Sequence, residues 1–147
     1  MQQRIDYVKV APGLFQHILQ LEQYIRGAGL DKKLLELVKI RVSQINGCAY
    51  CLDMHTHETR QGGESEQRIH CLPAWREAPI YSEQERLALE LAEVVTLLPS
   101  NRVSDELFGR LREHWDEKGI CDLVGAIITI NSWNRLAVSM GNVPPIR

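Results

Sequence analysis

Asn46-Gly47-Cys48-Ala49-Tyr50-Cys51-Leu52-Asp53-Met54-His55 is the stretch around which the chain is organised. Asn46-Gly47 is a turn signal, so the residues after it open a new helix. Read as a helix, Cys48, Cys51 and His55 fall at i, i+3 and i+7, on one face. Cys48 is expected in the first turn, where unpaired backbone N–H groups and the positive end of the helix dipole favour an anion. A Cys-x-x-Cys pair lowers the thiol pKa further. The arrangement reads as a redox-active or nucleophilic dithiol with a histidine beside it.

Working backwards, Asp31 is the expected N-cap of a helix to about Ile45, with apolar positions Leu34, Leu35, Leu37, Val38, Val42 and Ile45. The tight turn at 46–47 folds this helix and the motif helix, which runs to about Gln61, into an antiparallel αα-hairpin. Glu36 stands among apolar residues in the first of them, so it sits at the edge of the core or buried with a partner. Measured from Gly47, Glu36 lies roughly 16 Å back along one helix and His55 about 12 Å along the other. The two are level to within a turn. They can meet directly or through a water, with burial raising the carboxyl pKa unless an imidazolium is close enough to lower it. Glu, His and Cys then form a proton relay: the imidazole takes the thiol proton and the carboxylate orients it. His57, about 200° around the helix from His55, is expected to face solvent.

The remainder is helical. Leu14, Ile18, Leu21 and Ile25 recur at helical spacing to about Arg26, with Gln16, Glu22 and Gln23 off that stripe and facing solvent. Residues 1–10 carry little pattern and read as an arm or strand-like lead-in. A short helix covers Glu64 to about His70. Ser82-Glu83-Gln84-Glu85 is a capping box opening a helix to about Leu98. Ser104 caps another through Trp115. The last helix begins near Ile120 and is apolar on more than one side, as suits a central helix or one shared with a second subunit. The expected fold is all-α: one domain spanning residues 1–147, a bundle of about six or seven helices.

Of the 147 residues 44% are hydrophobic but only 6% aromatic, so the core is expected to be aliphatic; the net charge is −2. No basic tract argues for nucleic acid. The N-terminus lacks a charged-then-apolar export signal, and no apolar run approaches the ~20 residues that span a bilayer. The expectation is a soluble, cytoplasmic protein without a disulfide framework, in which Cys71 and Cys121 are ordinary buried or partly buried thiols. Trp75, Trp115 and Trp133 are core or interface residues, His17 and His114 surface residues, and Asn134-Arg135 an interhelical or subunit polar contact. Leu37, Ile45, Leu52 and Trp133 are candidates for an apolar access path.

Glu36, eleven residues, Cys48-x-x-Cys51, three residues and His55 resembles the alkylhydroperoxidase D-like branch of the carboxymuconolactone decarboxylase family. Ile45-Asn46-Gly47-Cys48, Leu52 to His57 and the tail Asn131-Ser132-Trp133-Asn134-Arg135-Leu136-Ala137-Val138 with Pro144-Pro145 extend the likeness over roughly residues 15–145. The resemblance implies a helical subunit assembling as a homotrimer or homohexamer and reducing organic hydroperoxides in antioxidant defence. It makes Cys51 the peroxidatic thiol, Cys48 the resolving thiol, and His55 and Glu36 the relay. An external dithiol restores the pair, and no cofactor or metal is called for. Well-known members often carry a histidine between the cysteines, where this chain has Tyr50. Members that decarboxylate a lactone lack the dithiol. Two other readings compete for the same cysteines. One is thiol–disulfide exchange or redox sensing without peroxide turnover. The other is structural zinc on Cys48, Cys51 and His55, or with His70 and Cys71, which lacks a second Cys-x-x-Cys.

Overall fold

A computed structural model describes residues 2–146. They form eight α-helices and no strand: α1 (Tyr7–Val10), α2 (Pro12–Gly27), α3 (Lys32–Asn46), α4 (Ala49–Gln61), α5 (Glu66–Cys71), α6 (Glu83–Thr96), α7 (Asp105–Arg112) and α8 (Glu117–Met140), with a short 3₁₀ turn at Leu72–Ala74. Side chains set most of the starts. Asp31, Ser65, Ser104 and Asp116 each accept a backbone N–H of the first turn, and Ser82 and Glu85 complete the capping box. The Asp116 cap starts α8 a turn earlier than its apolar pattern suggests.

α3 is the axle of the bundle, packed by α4, α6 and α8. Leu34, Val38 and Val42 join Leu87, Leu91, Leu107, Leu111, Leu123, Ile127 and Ile130 in an aliphatic core between α3, α6, α7 and α8. Leu37 and Ile40, on another side, pack with Leu72, Trp75, Tyr81 and Leu89. A helix buried on so many sides can expose few residues, which forces its polar groups to find partners inside the protein.

Its C-terminus shows how they do. Asn46 donates from Nδ2 to Asn131 Oδ1 at 3.0 Å and Asn134 Oδ1 at 2.9 Å, and Asn134 Nδ2 donates to Ser43 Oγ at 3.0 Å. Asn134 and Ser43 are fully buried. The expected interhelical contact is thus an amide cluster pinning α3 to α8, while Arg135 stays exposed. Gly47 follows at φ 64°, a left-handed conformation that glycine adopts without steric cost, and it turns the chain directly into α4.

Four expectations need correction. Residues 7–10 are helical rather than strand-like, capped by Asp6. The segment before them is an arm, with Arg4 N donating to Met140 O at 2.8 Å. Glu22 does not face solvent; it is 6% exposed, because a cation on α3 draws it inward. Cys121 is exposed on the outer side of α8, where Ile128 and Val138 are also exposed. Leu37 and Leu52 belong to the packing around Trp75 rather than to an access path.

Among the described residues no helix is long and apolar enough to cross a membrane. Replacing Asn134 by Ala removes the partner of the fully buried Ser43 hydroxyl and one of the two bonds made by Asn46. It is expected to cost on the order of 3 kcal/mol by urea denaturation, against less than about 0.5 kcal/mol for exposed Gln16→Ala.

Candidate functional site

Cys48 is the N-cap of α4 rather than a residue of its first turn, and its Sγ accepts the backbone N–H of Cys51 at 3.3 Å. A cap residue sits where the orphan N–H groups converge, so a negative sulfur there is stabilised. Cys48 and Cys51 are joined in a disulfide, S–S 2.05 Å. Both are buried, packed against Ala137 of α8 and the ring of Tyr50.

One α-helical turn beyond Cys51 is His55, 4% exposed. Its Nδ1 meets Glu36 Oε2 across the hairpin at 3.1 Å. The level placement of the acid and the imidazole holds, and the contact is direct. Burial pushes the Glu36 carboxyl up, but the hydrogen bond from His55 and the charge of Lys39 override it and hold the group down at about 2. An ionised carboxylate only accepts, so Nδ1 carries the proton, and in the neutral ring Nε2 is left with the free lone pair.

The other Glu36 oxygen, Oε1, accepts from Lys39 Nζ at 2.9 Å, and Lys39 also reaches Glu22 Oε1 at 2.9 Å. Arg26 Nε bonds the same Glu22 oxygen at 3.1 Å. Burial lowers the Lys39 ammonium, yet its two carboxylate partners lift it above the ordinary value. Burial raises Glu22, yet Lys39 and Arg26 bring it below. Glu22 and Lys39 are the site residues that sequence reading misses. The available signal is Lys39 itself, a cation within the apolar run Leu34 to Ile40, one turn from Glu36.

Cys51, His55 and Glu22 open onto a cavity of about 200 Å³ lined otherwise by Tyr7, Phe15, Leu19, Arg26, Tyr50, Met54, Trp133 and Ala137. Trp133 is therefore the one member of the expected access path that lines it. Leu37, Ile45 and Leu52 do not. Phe15 stacks obliquely between Tyr7 and Trp133, with ring centroids at 6.5 Å and 5.6 Å. Cys51 is on the cavity wall and Cys48 is not. Tyr50, at the position between the cysteines, also faces this space. His57 points away, exposed and bonded to Gln61.

Among the described residues Glu36, His55 and Glu58 bring donor atoms close enough to surround a metal ion. The donor chemistry fits poorly: both Glu36 oxygens are engaged by Lys39 and His55, and a buried ammonium 2.9 Å away opposes a second cation. His70 and Cys71 lie on α5, where His70 is exposed near Glu66.

The model of a family described as the carboxymuconolactone decarboxylase family matches residues 12–94. YdfG of Bacillus subtilis, an uncharacterised protein, is 51% identical over 142 residues, 97% of this chain and 97% of its own. A solved structure from Agrobacterium tumefaciens superposes with a TM-score of 0.95 at 40% identity, covering 99% of this chain and 100% of that one. Its description combines unknown function with a provisional assignment as the antioxidant defence protein AhpD. Alkyl hydroperoxide reductase AhpD of Nocardia farcinica is 47% identical over 47 residues, 32% of this chain and 26% of its own length.

The Glu36 carboxyl sets a pH dependence. Its folded value, about 2, lies below the ordinary 4.5. Its contribution to stability is therefore full above pH 4.5 and is lost as pH falls towards 2. Urea denaturation at pH 6 and pH 3 is expected to show on the order of 2 kcal/mol of this loss in the parent, and a flatter profile in Glu36→Gln.

Proposed function

Because the chain belongs to the carboxymuconolactone decarboxylase family, on its alkylhydroperoxidase D-like side, we propose that it reduces organic hydroperoxides through the Cys48/Cys51 pair. One observation carries the reading. The sulfur bonded to Cys48 and the imidazole oriented by Glu36 open onto the same largely apolar cavity.

In the reduced protein His55 Nε2 takes the Cys51 thiol proton. The thiolate attacks the terminal peroxide oxygen, the O–O bond breaks, and the departing alkoxide takes the proton back from His55 and leaves as the alcohol. Cys51 is then a sulfenic acid. Cys48 attacks its sulfur, the disulfide forms and water is released. The sum is one hydroperoxide and two thiols giving one alcohol, one water and one disulfide. An external dithiol closes the cycle. It attacks Cys51 from the cavity, and Cys48 leaves as a thiolate held at the N-terminus of α4, which is the better leaving group of the two. Access supports these roles: Cys51 lines the cavity and Cys48 does not.

The aromatic wall of Tyr7, Phe15, Tyr50 and Trp133 favours a hydroperoxide with a bulky apolar group over hydrogen peroxide. The same reading includes an antioxidant role in the cytoplasm and assembly as a homotrimer or homohexamer. The apolar residues exposed on the outer side of α8, Ile128 and Val138, support the last of these.

Stopped-flow oxidation of the reduced protein tests the reaction. Both thiols of the pair are expected to disappear in step with cumene hydroperoxide, about tenfold or more faster than with hydrogen peroxide. Trp133→Ala narrows that preference. Cys51→Ser abolishes turnover, and Cys48→Ser stops at a sulfenic acid that dimedone traps. Turnover that survives Cys51→Ser removes the assignment, and a dithiol untouched by peroxide leaves exchange or sensing as the role.

A further inference from the structure

We propose that Lys39 and Glu22 are positioning residues for His55: with Glu36 they form a buried chain of alternating charge that sets the protonation of the imidazole. The inference rests on the reading of His55 as the base that serves Cys51.

Three helices contribute to the chain. Glu22 comes from α2, Lys39 and Glu36 from α3 and His55 from α4. Lys39 is 4% exposed and Glu22 6%. An ion pair buried this deeply is weak evidence for stability, since apolar residues of similar volume commonly serve a fold as well or better. Its place beside the relay asks for another account. Lys39 Nζ bridges Glu22 Oε1 and Glu36 Oε1, each at 2.9 Å, which leaves Glu36 Oε2 aimed at His55 Nδ1 at 3.1 Å. The bridge thus fixes the carboxylate that fixes the ring, and keeps the Nε2 lone pair for the thiol.

It also sets the charge that the ring meets. A bare carboxylate on Nδ1 favours imidazolium, which has no lone pair for the thiol proton. Lys39 offsets that negative charge, and Glu22 offsets part of Lys39. Other groups also surround the His55–Glu36 pair: α3 brings Lys32, which lines a second cavity with Glu36, Lys39 and Glu58. α4 brings Glu58, at 3.9 Å from Nδ1, with Cys51 and Tyr50. α1 brings Tyr7, and α2 brings Arg26 alongside Glu22. α8 brings Trp133 and Ala137, neither of which titrates in this range. Lys39 and Glu22 carry opposite charges, so their removal moves the imidazole in opposite directions, whereas a pair that only held Glu36 in place would move it the same way in both variants.

The test uses the full chain in its disulfide form, without peroxide. The ring resonance of His55 is followed against pH by NMR, and assigned by its loss in His55→Gln. Lys39→Met is expected to move the imidazole midpoint up by about one unit, Glu22→Gln to move it down, and Lys39→Arg to leave it near the parent. Glu22→Gln keeps the Lys39–Glu36 pair, so the test stands even where Lys39→Met does not fold. Midpoints that stay put, or move the same way in Lys39→Met and Glu22→Gln, overturn the proposal. Neither result depends on peroxide turnover. A chain that consumes peroxide with unmoved midpoints loses this inference alone, and one with opposite shifts and no turnover loses the peroxidase reading alone.

Discussion

The bond from the imidazole of His55 to the carboxylate of Glu36, 3.1 Å across the α3–α4 hairpin, is the contact on which the site depends. It requires two helices to run antiparallel in one register, a turn short enough to hold that register, and a carboxylate that remains ionised though largely buried. Gly47 supplies the turn and Lys39 the counter-charge. With the bond made, one tautomer of His55 is selected and its second nitrogen is free for the cysteine one turn away. Without it, the dithiol has no oriented imidazole beside it, and the proposed relay loses its base.

The protein places polar groups in the interior twice, for different ends. The cluster of Asn46, Asn131, Asn134 and Ser43 is neutral and satisfied. It ties the end of α3 to α8 immediately before the Cys-x-x-Cys turn, so it fixes where the disulfide sits against Ala137. Such a network specifies one packing more than it adds net stability. The chain Glu22–Lys39–Glu36 is charged, and removing one member leaves the others exposed to an apolar surround. Both are anchored on α3, through Ser43 and Asn46 in one and Glu36 and Lys39 in the other, where the helix is covered by its neighbours and its polar side chains are paired. The cavity beside Cys51 is lined mostly by apolar and aromatic side chains, with Glu22 and Arg26 as its charged members and Lys39 and Glu36 behind the histidine.

Much of this was legible in order of residues. The turn at Asn46-Gly47 places the hairpin. The spacing of Cys48, Cys51 and His55 places them on one face. An acid within an apolar run, level with the histidine, gives their partner. Ser82 with Glu85 fixes a helix start, and the apolar stripes give every long helix. What failed has common physical causes. Periodicity on its own helix marks Glu22 as a solvent residue, because amphipathicity describes a helix in isolation and the cation that buries Glu22 belongs to another helix. The four-residue α1 is too short for periodicity to show; its Asp6 cap and the contact of Tyr7 with Phe15 hold it. Leu37 and Leu52 are apolar and near the motif, which suits an access path by sequence, but they pack in the cluster around Trp75.

Local sequence determined what depends on the chain's own neighbours: helix starts, the left-handed glycine, the face shared by the cysteines and the histidine, and the helical nature of the whole. Such features arise from contacts a few residues apart, where spacing alone sets geometry. The tertiary structure decided which cysteine lines the cavity, that Lys39 joins Glu22 to Glu36, and that Phe15, Tyr7 and Trp133 line the same cavity as Cys51. These contacts join helices distant along the chain, and their partners are chosen by packing in three dimensions, which no period in the sequence encodes.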